Sequence, residues 1–200
     1  MKPYYEHAGQ TIYCADCREI LPGLHADLVI ADPPYGMKKA VWDAEIVPVD
    51  SWLDSARRIA PALVFTGIKG MWDYPKPDWV MSWVRVGSTQ RNGSLRGFNN
   101  WEPILVYGLQ ALSNDTIEAA NIPDGDTGDH PTPKPLKLMD KLLARVPGAV
   151  VVDPFCGTGT TLISAKNLGR KAIGIEIEEK YCEIAAKRLS QEVFDFTPTP

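Results

Sequence analysis

The stretch Val150-Val151-Val152-Asp153-Pro154-Phe155-Cys156-Gly157-Thr158-Gly159-Thr160 leads from an apolar run into a Gly-rich turn. The run is typical of a buried strand, and residues 160–168 after the turn predict a helix that ends at Gly169. Glycines let a backbone approach a ligand closely, and a helix N-terminus offers free N–H groups. The stretch therefore predicts a nucleotide-type cofactor site at the end of a strand in an α/β sheet.

The residues around this turn narrow the choice of cofactor. A dinucleotide fingerprint has a third glycine where this chain has Leu162, and a phosphate-binding P-loop has a lysine that this turn lacks. The next predicted strand ends at Glu176, and an acid at that place accepts hydrogen bonds from ribose hydroxyls. A ribose-bearing ligand without a pyrophosphate, such as S-adenosylmethionine, fits better than the alternative of a Gly-rich surface turn beside an unrelated glutamate.

A second constellation, Asp32-Pro33-Pro34-Tyr35-Gly36, follows the apolar run Leu28–Ala31. Prolines lack the N–H donor that a strand needs, so the chain leaves the sheet here, at the carboxyl edge where α/β folds bind ligands. The Asp32 carboxylate, a fixed backbone carbonyl and the Tyr35 ring could together hold a planar amine. A Pro-rich turn with a surface aspartate is the alternative reading of these residues alone.

Short apolar runs alternate with helical patterns along the 200 residues. This alternation predicts an α/β fold with a doubly wound, mostly parallel sheet, in a single domain spanning residues 1–200. Residues 36–50 show no period and predict a long loop. Residues 85–129 are rich in Gly, Ser, Asn and Arg and then in Asp, and they are interpreted as a small insert for target recognition and DNA contact.

Charge and cysteine content bound the function. The net charge of −4 argues against a protein that holds nucleic acid by bulk charge, but it allows a local basic face. No run approaches the roughly 18 apolar residues of a membrane span, and residues 1–10 lack the core of a signal peptide, which predicts a cytoplasmic protein without a membrane partner. Cys14 and Cys17 form a C-x-x-C pair, but Cys156 and Cys182 do not supply the second close pair of a zinc site; we expect free thiols and no metal.

Three segments together resemble one protein family. Asp32-Pro33-Pro34-Tyr35 is similar to the catalytic motif of S-adenosylmethionine-dependent amino DNA methyltransferases, residues 153–160 to their cofactor motif, and residues 130–135 (His-Pro-Thr-Pro-Lys-Pro) to the segment before their first helix. The catalytic motif precedes the cofactor motif, which is the circularly permuted order of the family's beta class. The resemblance covers the chain from Tyr4 to about Leu189 and implies a Rossmann-like methyltransferase sheet of seven strands.

The resemblance also implies roles for individual positions. The residues implied at the cofactor are Asp16, Asp32, Thr132, Lys134, Asp153, Phe155, Cys156, Gly157, Thr158, Gly159, Thr160 and Glu176. Among them, Phe155 and the two glycines would line the methionine side, Glu176 would hold the ribose, and Asp16 would lie near the adenine. Thr132 and Lys134 would close over the cofactor, although the intervening Pro133 stands where the family usually has Gln.

The implied reaction needs a target base that is turned out of the duplex, because the amine is unreachable inside it. The catalytic motif would be Asp32, Pro33, Pro34 and Tyr35, with the Asp32 carboxylate and the Pro33 carbonyl accepting the two amine hydrogens and the Tyr35 ring stacking on the base. The residues expected to contact DNA are Lys38, Lys39, Arg85, Arg91 and Arg96, and Trp101 or Trp42 would flank the vacated space. The resemblance allows a homodimer.

The choice of base and the activity itself have alternatives. Asp32 at the first motif position favours adenine N6, whereas family members acting on cytosine N4 more often have Ser there, so cytosine is the nearest alternative. Methyl transfer to protein glutamine is disfavoured because those enzymes usually have Asn at that position. A catalytically inactive S-adenosylmethionine-binding module is the alternative from a different class, and an NAD-dependent oxidoreductase is disfavoured by Leu162.

Overall fold

The computed structural model describes most of the chain. The described ranges are 1–35, 47–87, 90–92, 97–109, 114–122, 127–128 and 132–191. Within them, no helix is both long enough and apolar enough to cross a membrane. All four cysteines lie in these ranges and are free thiols, as the sequence predicts.

The elements alternate along the chain as the apolar runs predict. The strands are β1 (Tyr5–His7), β2 (Gln10–Cys14), β3 (Leu28–Ala31), β4 (Ala62–Phe65), β5 (Trp79–Arg85), β6 (Gln90–Asn92), β7 (Gly97–Asn99), β8 (Trp101–Tyr107), β9 (Thr116–Ala119), β10 (Val150–Asp153) and β11 (Lys171–Glu176). The α-helices are α1 (Cys17–Ile20), α2 (Leu53–Ile59), α3 (Leu136–Leu143), α4 (Thr160–Asn167) and α5 (Glu179–Ser190). Short 3₁₀ turns occupy Leu21–Gly23, Val49–Ser51 and Gly70–Asp73.

One sheet organises the molecule. Its strand order is β1-β2-β11-β10-β3-β4-β8-β5-β9, and a separate β6–β7 hairpin stands apart from it. The strands β2, β11, β10, β3 and β4 run parallel, while β8 is antiparallel to both β4 and β5. In the described part of the chain this sheet has nine strands, two more than the implied seven, because β1 and β9 extend its edges. Both are short segments without a sustained apolar period, so the sequence carried no signal for them.

Helices cover both faces of the sheet, which confirms the doubly wound prediction. On one face, α3, α4 and α5 pack through residues such as Leu142, Leu162 and Ala185 against the inward side chains of the strands. On the other face, α1 and α2 pack through Cys17, Leu53 and other apolar side chains. Since both faces are covered, β3 and β4 are buried along their whole length, as continuous apolar runs require.

The structure also changes the interpretation of residues 85–129. The strand β8 lies in the centre of the sheet between β4 and β5, and β9 pairs with β5 at the edge. These residues therefore do not form one separate insert, and among the strands described in this segment β6 and β7 are the pair that lies outside the main sheet. A role of this hairpin in target recognition stays a prediction.

Parallel strands bring the functional segments to one edge. The strands β2, β11, β10 and β3 all end there, so that Cys14 pairs with Glu176 and Asp153 with Gly174. The expected neighbourhood of the first predicted strand and the strand ending at Glu176 is thereby confirmed. This edge is the one where α/β sheets bind ligands.

Candidate active site

The Gly-rich turn between β10 and α4 is held by carboxylates from two strand ends. Glu176 Oε2 accepts a hydrogen bond from Gly157 N at 2.9 Å, and its Oε1 accepts one from Glu178 N at 2.9 Å. Asp153 Oδ1 accepts a hydrogen bond from Phe155 N at 3.0 Å. The two acids therefore fix the backbone of the turn and place it beside the end of β11.

The turn also depends on glycine at its last position. Gly159 has a φ of +81°, and a Cβ there would lie 2.9 Å from Ala185 Cβ on α5. Such a backbone conformation is strained for other residues. Arg188, one turn further along α5, donates to the carbonyl oxygen of Thr158 at 2.6 Å and to its hydroxyl at 3.1 Å. Helix α5 thus packs against the turn through Ala185 and forms hydrogen bonds with it through Arg188.

Burial shifts the pKa of both supporting acids upwards. Asp153 is only 4% exposed, and burial raises its pKa to about 7, although hydrogen bonds from Thr161 and Phe155 oppose the rise. Burial also raises the pKa of Glu176, against hydrogen bonds from the backbone N–H groups of Glu178 and Gly157. Asp153 therefore changes charge near neutral pH.

Asp32 and Tyr35 of the predicted catalytic motif lie in a largely buried group of charged and polar side chains. Lys134 Nζ donates to Asp32 Oδ2 at 2.6 Å, and the Tyr35 hydroxyl lies 2.7 Å from Asp32 Oδ1. The same hydroxyl lies 2.9 Å from Glu102 Oε1 on β8, and Lys134 Nζ lies 3.4 Å from that oxygen. Asp32 keeps 24% of its side chain exposed at the edge of the sheet.

The pKa values in this group reflect opposing effects. Burial raises the pKa of Asp32, and the Lys134 ammonium opposes that rise. Burial alone would lower the pKa of Lys134, but the Asp32 and Glu102 carboxylates outweigh it and raise the value. For Glu102, Lys134 and Arg85 outweigh the effect of burial, so its pKa is lowered.

Lys134 was expected to close over a cofactor, and the structure places its ammonium on the catalytic motif. The side chain is 10% exposed and lies over the rings of Phe65, at 5.1 Å, and Tyr35, at 5.5 Å. Aromatic faces and two carboxylates together stabilise a buried ammonium. Lys134 therefore connects the segment before α3 to the end of β3.

The position of Arg85 contradicts the prediction that this residue contacts DNA. Its guanidinium donates to Glu102 Oε2 at 2.8 Å, and its side chain is only 6% exposed. The alternating burial along β5 places Arg85 on the same inward face as Met81 and Trp83, which makes it a buried ion-pair partner rather than a surface residue. A buried arginine of this kind cannot reach a phosphate backbone.

Glu102 was missed by the sequence analysis. It lies in the otherwise apolar strand β8, where it is 8% exposed. Charged residues are almost never buried without a partner, so an acid inside such a strand was the available signal. Its partner Arg85 could not be assigned without the pairing of β5 with β8.

The remaining predicted positions are Asp16, the other residues expected at the cofactor, and the residues expected to contact or flank the DNA. Asp16 lies beside the end of β11, since Ala15 N donates to Glu176 O at 3.0 Å, but its carboxylate caps α1 by accepting from Arg18 N at 2.9 Å. The side chains of Thr158 and Thr160 are buried, Cys156 packs against Gly174, and Thr132 is exposed. Arg91 lies in β6 and Trp101 begins β8 with 38% exposure, whereas Lys38, Lys39, Trp42 and Arg96 lie outside the described residues.

Comparison with known proteins agrees with this arrangement. Residues 90–187 match a DNA methylase family. The Type II methyltransferase M2.LlaDCHI of Lactococcus lactis subsp. cremoris is 44% identical over 95% of this chain and 93% of that protein. The Type II methyltransferase M2.DpnII of Streptococcus pneumoniae is 46% identical over 67 residues, which are 32% of this chain and only 25% of that relative.

A solved structure supports the same assignment. The crystal structure of the M1.HpyAVI–SAM complex has a TM-score of 0.69 to this chain at 26% identity, covering 91% of this chain and 100% of that one. The fold is therefore that of the Rossmann-like methyltransferases. Because a relative of 44% identity is matched over nearly its whole length, the chain belongs to the DNA methylase family of amino-group methyltransferases.

Proposed function

We propose that this chain transfers the methyl group of S-adenosylmethionine to the N6 amine of an adenine that is extruded from DNA. The observation that carries the proposal is the partly exposed Asp32 side chain after β3, on the strand next to β10 and the Gly-rich turn that follows it. A carboxylate there can accept a hydrogen of a planar amine that lies next to a cofactor in the turn. Placing two reactants in line can lower a barrier by roughly 7–11 kcal/mol.

The residues of the turn fit the cofactor. When bound, S-adenosylmethionine supplies an electrophilic methyl group on a positively charged sulfur. Glu176 uses one acceptor position on each oxygen for Gly157 N and Glu178 N, and a carboxylate offers about four positions, so it can also accept ribose hydroxyls. Gly157 and Gly159 leave the backbone of the turn open to close approach, with Phe155 beside them and Asp16 next to the end of β11.

The catalytic motif would orient the amine. Asp32 must be ionised to accept a hydrogen from the amine, and Lys134 at 2.6 Å favours that ionised form. The Pro33 carbonyl would accept the second hydrogen, which turns the nitrogen lone pair towards the methyl group. Stacking of the base on the Tyr35 ring would contribute about 1–3 kcal/mol.

The proposed contacts with DNA are made by a few positively charged side chains. Arg91 in the β6–β7 hairpin would contact phosphates, together with Lys38, Lys39 and Arg96. Because the chain carries a net charge of −4, we expect weak and salt-sensitive binding. An affinity that stays constant between low and physiological salt would contradict this part of the proposal. A homodimer and a cytoplasmic location remain predictions.

The test is incubation of unmethylated DNA with isotope-labelled S-adenosylmethionine, followed by mass spectrometry of the nucleosides. We expect N6-methyladenine with the parent chain and none with Asp32→Asn, which keeps the size of the side chain and removes its charge. The control Glu183→Gln removes a carboxylate that is exposed on α5 and should leave the product unchanged. Detection of N4-methylcytosine instead would mean that the target base is cytosine. Binding of S-adenosylmethionine without any methylated product would support an inactive binding module.

A further inference from the structure

The Tyr35 hydroxyl lies between two carboxylates although it carries a single hydrogen. Its oxygen is 2.7 Å from Asp32 Oδ1 and 2.9 Å from Glu102 Oε1. An ionised carboxylate only accepts hydrogen bonds, so the hydroxyl can donate fully to one of the two acids at a time. Lys134 also lies between the two acids, at 2.6 Å from Asp32 and 3.4 Å from Glu102, but its ammonium has three hydrogens and can donate to both.

In this arrangement both oxygens of Asp32 already have a donor, Tyr35 on one and Lys134 on the other. The amine of the substrate would share one of these oxygens with the donor already bound there, so a second acceptor within reach of that donor favours engagement of the amine. A buried donor left without an acceptor is destabilising. Glu102 Oε1 lies within reach of both donors, on a strand in the centre of the sheet.

We propose that Glu102 is a positioning residue that accepts the Tyr35 hydroxyl, and partly the Lys134 ammonium, when the amine of the substrate engages Asp32. The inference rests on the proposed function. Glu102 would not touch the substrate; it would free the Asp32 oxygen and hold the Tyr35 ring in the stacking position. Glu102 thereby becomes a determinant of the rate of methyl transfer.

Arg85 makes this role possible. Its guanidinium lies 2.8 Å from Glu102 Oε2, so that the oxygen facing Tyr35 belongs to an acid whose charge is already compensated. The two acids, Asp32 and Glu102, and the two bases, Lys134 and Arg85, are neutral together. Glu102 can therefore stay ionised in the core and act only as an acceptor.

The test compares two double variants with the parent chain. In Arg85→Met/Glu102→Leu the buried pair becomes apolar, which avoids an unpaired guanidinium and preserves the fold. In Arg85→Met/Glu102→Gln the amide oxygen restores one acceptor for Tyr35. We expect the first variant to lose roughly 10²-fold in kcat with an unchanged KM for S-adenosylmethionine, and the second to recover part of the loss. Glu183→Gln serves as the control for charge.

The pH profile separates positioning from packing. Glu102 is a negative charge next to Asp32, so its removal lowers the pKa of Asp32 and moves the acid limb of kcat to lower pH. The ionisable groups that face Asp32 are Lys134, Glu102, Tyr35, Tyr74 and Asp153. All of these except Glu102 are the same in both double variants and in the parent chain.

Three outcomes would overturn the inference. One is a folded Leu double variant with a kcat within about twofold of the parent; another is a Gln double variant that recovers nothing while the acid limb stays in place. If the parent methylates no DNA, the proposed function fails. The effect of Glu102 on Asp32 is then measured separately, by carbon-13 NMR titration of the Asp32 carboxyl, with the signal assigned from the variant Asp32→Asn. An Asp32 pKa that is unchanged by the Leu double variant would then contradict the role of Glu102.

Discussion

Asp153 makes the stability of the protein depend on pH in a direction opposite to that of most carboxylates. Its pKa is about 7 in the folded chain against an ordinary value of 3.8, so the folded state holds a proton that the unfolded state releases. Because the unfolded state binds fewer protons in this window, stability falls as the pH rises from about 4 to about 7 and is level above it. The difference is about three pKa units, or about 4 kcal/mol.

The variant Asp153→Asn should remove this dependence. The amide keeps an oxygen for Phe155 N, now at 3.0 Å from Asp153 Oδ1, and cannot ionise. Urea unfolding of the parent and the variant between pH 4.5 and pH 8, at the same cofactor-free conditions, gives the difference in free energy of unfolding at each pH. We expect the parent to lose about 3 kcal/mol relative to the variant between pH 4.5 and pH 8, which is the part of the total effect that falls in this range.

A control of opposite sign is available in Asp27. This exposed carboxylate accepts hydrogen bonds from Ala149 N at 2.7 Å and Val150 N at 2.9 Å, which lower its pKa. Its contribution is present above the unfolded pKa and disappears as the pH falls, so Asp27→Asn should change the profile in the acid range and in the other direction. Parallel profiles for the parent and Asp153→Asn would refute the buried-acid reasoning.

Three further changes test the supports of the site. Gly174→Ala puts a Cβ 2.7 Å from Cys156 Sγ and should cost about 1–3 kcal/mol in urea unfolding; a neutral result would mean that Cys156 moves freely. Arg188→Ala removes the 2.6 Å bond to the Thr158 carbonyl, and we expect weaker binding of S-adenosylmethionine by calorimetry with little change in kcat at saturation. Lys134→Met removes the charge that lowers the pKa of Asp32, so the acid limb of kcat should move to higher pH; a limb that stays in place would exclude Lys134 as the counterion.

The parts of the fold that sequence reasoning predicted are those with a strong local signal. The strands β3, β4 and β10 are continuous apolar runs that end at Pro or Gly, and the parallel arrangement then brings Asp32, Asp153 and Glu176 to one edge without further information. The strands β1 and β9 have no such pattern. Their pairing depends on the edges that β2 and β5 offer, and this is information from the tertiary structure.

The residues of the site divide in the same way, into those with a local sequence signal and those that depend on tertiary pairing. The acids at strand ends were predictable because their position in the chain decides which edge they reach. The Arg85–Glu102 pair was not, since it depends on the register in which β5 and β8 pair, with Trp83 opposite Glu102. The bridging position of the Tyr35 hydroxyl follows from that pair and was unpredictable for the same reason.

The buried charges around Asp32 are better explained by the proposed reaction than by the stability of the fold. Replacing a buried ion pair by apolar residues of similar volume is often neutral or stabilising by about 1–4 kcal/mol, whereas removing one partner costs about 3–5 kcal/mol. Arg85 and Glu102 are 6% and 10% exposed at their side chains and occupy strands that are otherwise apolar, so leucine and methionine would serve the core at least as well. An acid retained there at no gain in stability is expected where its charge acts on the neighbouring Asp32 carboxylate, which we propose to be catalytic.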